Sequence, residues 1–131
     1  MKREEQVLLY QFRDEEKRSM VQSVLKALHI KVRVLPENAH EQKIGFLLGM
    51  KGFQQAAAKR EDFSFPHEMM VFHNIRGKRL DEVLGAMKNA GVPHVKFKAV
   101  VTPFNTLWTL GRLCETMRRE HAALLGQEEE A

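Results

Sequence analysis

The chain has 131 residues, enough for one domain with a real core, and its 44% hydrophobic and 29% charged residues are those of an ordinary globular protein. No apolar run approaches the roughly 20 residues of a membrane-spanning helix, the N-terminus lacks the order of a secretory signal, and a single cysteine, Cys114, excludes an internal disulfide framework and suits a reducing cytoplasm. The net charge of +4 comes from 21 basic and 17 acidic side chains mixed along the chain, which describes a solvated surface better than the concentrated patch that nucleic acid requires.

Residues 6–12 (QVLLYQF) are apolar at successive positions, the pattern of a strand buried on both faces. Asp14 opens a first helix, with Glu15 and Glu16 in its first turn and an apolar stripe of Met20, Val21, Val24, Leu25 and Leu28 that ends at His29. Residues 31–35 (KVRVL) alternate and predict a half-exposed edge strand. Asn38 caps a second predicted helix through His40, Ile44, Leu47 and Leu48, stopped by Gly49. Residues 50–66 are too long for an ordinary loop, and helix propensity predicts extra turns over Phe53–Arg60. Three phenylalanines (53, 63 and 65) point to a docked segment rather than a swinging lid.

Residues 69–73 (MMVFH) predict a second interior strand, and the turn NIRGK leads to a third helix with Leu80, Val83, Leu84, Met87 and Ala90. Lys96–Val101 alternates and predicts a second edge strand. Thr102 as N-cap and Pro103 at the first helical position predict that the longest helix starts there. No internal repeat is visible. Four strands alternating with helices predict an α/β fold in three layers, with a four-stranded parallel sheet in the order 2-1-3-4 and helices on both faces. One domain is expected over residues 1–131, with an acidic, disordered tail at 126–131.

In such a sheet a crevice opens at the C-terminal ends of strands 1 and 3. Arg13 and Asp14 fall on one side of it and Asn74, Arg76 and Lys78 on the other, the latter before a helix N-terminus that favours anions. A solvated turn explains the same residues, and no dinucleotide or triphosphate fingerprint is present. Neither His94 nor His121 belongs to a metal-ligand spacing, and no metal or cofactor is expected. His121 and Cys114 fall with Leu107, Leu110 and Met117 on the apolar stripe of the last helix, where both read as core residues. Trp108 lies off that stripe and is read either as a partner anchor or as a cover for neighbouring chain.

Lys98-Ala99-Val100-Val101-Thr102-Pro103, then Asn105, Trp108 and Glu120-His121, resemble the C-terminal signature of a bacterial domain of unknown function, family 3783, with weaker similarity at Leu9–Phe12 and Glu68–Phe72. The resemblance implies a small α/β domain and names no reaction. It adds Lys98, Thr102, Asn105 and Trp108 to Asn74, Arg76 and Lys78 as a candidate binding surface. No nucleophile–base pair can be assembled, so the expected function is a small cytoplasmic, non-enzymatic binding or regulatory module, with another protein as one candidate partner and no membrane. Two alternatives stay open: an enzyme or small-molecule binder using the strand-end crevice, and a nucleic-acid binder using the Arg112, Arg118 and Arg119 face.

Overall fold

Gln6–Tyr10 (β1) is buried at every position, as its unbroken apolar run requires, and Met69–His73 (β3) is buried at all but its last. Lys31–Val34 (β2) and Phe97–Val100 (β4) flank them, and the four strands form one sheet in the order β2-β1-β3-β4. These belong to a computed structural model that describes residues 4–57 and 63–130, with side-chain surroundings as far as Ala122. The side chains of the acidic tail expected at 126–131 lie outside the described residues. The chain folds into two compact units, each built from two segments: Met1–Glu37 with His67–Val101, and Asn38–Pro66 with Thr102–Ala131.

The strand order is as expected, but the sheet is mixed. β1 runs parallel to β2 and β3 parallel to β4, whereas β1 and β3 pair antiparallel, from Gln6 opposite His73 to Tyr10 opposite Met69. Two-sided burial marks a strand as interior without giving its direction, so the apolar runs could not reveal this reversal. The reversal fixes where the helices go. Glu15–Ala27 (α1) crosses from β1 to β2 and Gly77–Asn89 (α3) from β3 to β4. Right-handed crossovers on two oppositely directed strands, leading away from each other, place both helices on one face. Val7, Leu9, Met70 and Phe72 supply that face, against Val21 and Leu25 of α1 and Val83 and Met87 of α3.

The first unit is therefore a structural repeat that the sequence does not show. Each half is a five-residue strand, a 13-residue helix and a four-residue strand. After each leading strand comes a left-handed residue (Gln11 at φ 64°, Asn74 at φ 60°), then a buried apolar residue (Phe12, Ile75), then an arginine. Both helices close with the same double hydrogen bond. His29 N–H donates to the Lys26 carbonyl and Ile30 to Leu25, just as Gly91 donates to Lys88 and Val92 to Met87. Of the turn residues only the arginine is shared, so comparing the sequence with itself finds nothing. The helix starts differ: the Asp14 side chain accepts from the Lys17 amide at 3.2 Å, whereas Arg76 caps α3 without a side-chain bond.

In the second unit the single helix expected from Asn38 is divided. A 3-10 turn covers Glu37–Glu41 and a short helix Ile44–Leu47 (α2), with an antiparallel bridge between Lys43 and Thr109 at the break. Residues 53–57 contain no helical turn, and the rest of the helix expected over Phe53–Arg60 lies outside the described residues. Phe53 lays its ring on the backbone of Gly45, and Phe63 stacks on His40 at 4.3 Å between ring centres. Gln42, buried, pairs its side-chain amide with the backbone of Ala56 in both directions, at 3.1 and 2.7 Å. Replacing Gly45 by alanine would put a methyl group 2.4 Å from the Phe53 ring. We expect Gly45→Ala to displace Phe53 and cost about 1–3 kcal/mol in urea titration, and an unchanged midpoint would show that the ring is not wedged there.

Candidate functional site

The antiparallel pair removes the crevice expected between strands 1 and 3. Their C-terminal ends now lie at opposite ends of the sheet, because His73 pairs with Gln6. Asn74 and Arg76 accordingly sit where β1 begins, and Arg13 and Asp14 where it finishes. The left-handed Asn74 donates through Nδ2 to the Glu4 carbonyl at 2.8 Å. Burial, with a further contribution from the positive charge of Arg76, holds the His73 imidazole below its ordinary pKa. A cavity of about 790 Å3 opens beside them, lined in part by Glu4, Glu5, His29, Lys31, Asn74 and Arg79. Its charges are already matched. Arg79 grips Glu5 through two bonds of 2.8 and 2.9 Å and donates to the Leu28 carbonyl at 2.7 Å, and Lys31 lies 3.5 Å from Glu4. That network fastens the end of the sheet to the end of α1. Arg76, at the N-cap of α3, and Lys78, in its first turn, are exposed.

Lys98 points to the helix face of the sheet, since it is the register partner of Met70. Its ammonium donates to the Val95 carbonyl at 2.6 Å beside a cavity of about 420 Å3 walled by Leu84, Met87, Val92 and Pro93. Burial first, and Lys17 second, lower its pKa from the usual lysine range. Lys17 is itself paired with Glu68 and donates to the His94 carbonyl. Lys98 thus closes the bottom of β4 in this unit, where the sequence offered it only as a signature residue.

In the second unit, Thr102, Asn105 and Trp108 form one local structure, though not the one expected. The Asn105 side chain accepts from the Thr102 amide at 2.8 Å, and the Thr102 hydroxyl accepts from the Asn105 amide at 3.1 Å. This reciprocal cap closes a 3-10 turn over Asn105–Leu107 and not a long helix. At Trp108 the backbone is extended, its carbonyl accepts from the Ile44 amide, and the Leu110 amide donates to Gln42. The last helix, Leu110–Glu130 (α4), starts only after Thr109, whose hydroxyl accepts from the Arg112 amide at 3.1 Å. Thr102 and Pro103 therefore cap the turn and not the helix, as capping chemistry is the same for both.

Moving the helix start changes what the turn displays. Leu107, assigned to the apolar stripe, is instead 63% exposed, and Phe104 is 80% exposed. The two are three residues apart in 3-10 geometry, so their side chains lie one above the other. Trp108 is half-buried, with the Arg112 guanidinium 4.2 Å over its ring. Asn105 is buried, and its amide holds the turn. Of the other arginines on this face, Arg118 donates to the Ser64 carbonyl and stands 5.7 Å over Phe65. Leu110 and Cys114 are in the core as expected, but His121 is only half-buried. Burial pushes the Cys114 thiol up to about 12. Sequence reasoning missed Phe104, Leu107, Gln42 and Arg79. A signal existed only for Phe104, an apolar residue inside a Thr-Pro-Phe-Asn turn.

The family model described as a domain of unknown function (DUF3783) matches residues 68–124. The match takes in Glu68–Phe72, the Lys98–Trp108 signature and Glu120-His121, and leaves out Leu9–Phe12. No curated protein and no solved structure matches the chain. Among the described residues no group of three or more His, Cys, Asp or Glu side chains is placed to hold a metal ion, and no helix is long and apolar enough to cross a membrane.

Two outcomes follow from this geometry. Asn105→Ala removes the reciprocal cap and leaves the Thr102 amide without its acceptor. A loss of about 1–2 kcal/mol is expected in thermal or urea unfolding, and a neutral effect would relieve Asn105 of its structural role. Cys114 has a folded-state pKa above its ordinary 9.0, so the protonated thiol contributes stability that is intact below pH 9 and lost as pH rises towards about 12. The alkaline slope of stability should flatten in Cys114→Ala, and iodoacetamide at pH 8 should label the thiol only after unfolding.

Proposed function

We propose that this protein is a non-enzymatic binding module that docks another protein through the Phe104–Trp108 turn. The observation that carries the reading is the exposure of Phe104 and Leu107 on a turn whose own polar groups are tied down by Thr102 and Asn105. Large apolar side chains in water on a fixed backbone lose little conformational entropy when a partner covers them. Trp108, flat beneath Arg112, extends the same surface with the two residue types most common at interface hot spots. In this reading Thr102 and Asn105 position the surface and Trp108 contacts the partner. Asn74, Arg76, Lys78 and Lys98 contribute to the fold and charge of the first unit. The single buried thiol fits a reducing compartment such as the cytoplasm.

Phe104→Ser combined with Leu107→Ser tests this directly, because neither side chain supports the core. The double variant should melt within a few degrees of wild type and lose the proteins that photo-crosslink to a benzophenone label at position 54, which is exposed beside Leu107. Arg76→Ser should keep them. An identical crosslinking pattern in wild type and double variant would rule this surface out.

A further inference from the structure

The groove beside Leu107 carries positive charge, as the cavity beside Lys98 does, whereas the cavity beside Asn74 is balanced. The groove has a volume of about 520 Å3, and its walls include Lys43, Lys51, Phe53, Gln54, Ala56 and Leu107. Among the described residues no acidic side chain lines it, whereas in the cavity beside Asn74 Glu4 and Glu5 answer Lys31 and Arg79. Lys43 and Lys51 are exposed, and neither forms an ion pair among the described residues. The walls are fixed before anything binds. Phe53 is held against Gly45, Ala56 by the Gln42 side chain, and Leu107 by the Thr102–Asn105 cap.

Resting on the reading of the Phe104–Trp108 turn as a docking surface, we propose that this groove receives an acidic peptide segment carrying an apolar anchor. The anchor covers Leu107 and reaches Phe104, and carboxylates on either side of it meet Lys43 and Lys51. Two ammonium groups bordering an apolar wall set both requirements at once. A nucleic-acid backbone would satisfy the lysines and leave Leu107 and Phe104 in water. An anionic lipid surface would need apolar residues at a convex tip, whereas Leu107 lines a recess. Charge complementarity of this kind governs partner choice and association rate, and it is screened by salt.

Selection of peptides from a random 12-residue phage library on the immobilised full chain at 50 mM NaCl tests the assignment. Enriched sequences should combine Asp or Glu with Leu, Ile, Phe or Met. The best of them, synthesised and followed by fluorescence anisotropy, should bind at least tenfold more weakly to Leu107→Ala and to the double variant Lys43→Glu, Lys51→Glu. It should also bind more weakly at 300 mM NaCl and equally well to Arg76→Ser. The melting temperature of each variant, expected near that of wild type, separates lost binding from lost fold.

Enrichment without acidic residues, or a Lys43→Glu, Lys51→Glu variant within twofold of wild type, overturns the acidic partner. If Leu107→Ala still weakens binding in that case, the docking surface stands. Peptides insensitive to both variants, or no enrichment at all, overturn the surface as well. Two further results would replace the peptide with another occupant: sedimentation of vesicles containing phosphatidylserine with wild type but not with Leu107→Ala, or a wild-type dimer in analytical ultracentrifugation that Leu107→Ala dissociates.

Discussion

The antiparallel pairing of β1 with β3 governs the first unit. Its register is symmetric about Leu8 opposite Val71, so the two β-α-β halves are related by a local twofold through that pair. Handedness then leaves the helices no choice of face. The same constraint separates the carboxyl ends of the two leading strands, and with them the residues that a parallel sheet would have gathered into one crevice. What remains at each sheet end is a set of matched charges, Arg79 with Glu5 and Lys17 with Glu68.

The strands, their order and the three long helices were legible because burial leaves a period in the sequence. Val21 and Leu25 in α1, and Val83 and Met87 in α3, report a buried face wherever they occur. Strand direction leaves no such trace: an all-buried run reads the same either way up. The repeat escaped for a related reason. What is duplicated is backbone, the left-handed residue after each strand and the double bond after each helix, and several side chains can support each of these.

The candidate site was half legible. Thr102, Asn105 and Trp108 do belong to one structure, and their spacing correctly signals a cap. The spacing could not tell that the capped turn is three residues long, because Thr-Pro at a first turn serves a 3-10 turn as well as a helix. The deciding contact is distant in sequence: the Trp108 carbonyl accepts from Ile44 and the Leu110 amide donates to Gln42. Tertiary bonds thus overrode local propensity at Trp108 and turned Leu107 from a stripe residue into an exposed one. Asn74, Arg76 and Lys98 were read from the sequence as parts of a binding surface, and the structure uses Asn74 and Lys98 to satisfy backbone carbonyls.

The interleaving of the two units bears on how the chain is made. The first is assembled from the segments ending at Glu37 and Val101, and the second from those ending at Pro66 and Ala131. On a ribosome the leading β-α-β half therefore waits for the 29 residues of Asn38–Pro66 and then for its own counterpart before its interior edge on β1 is paired. At bacterial or eukaryotic rates of roughly 5–20 residues per second that wait lasts several seconds. Throughout it a strand that is buried at every position in the folded protein has an open edge, the situation in which nascent chains come to depend on chaperones.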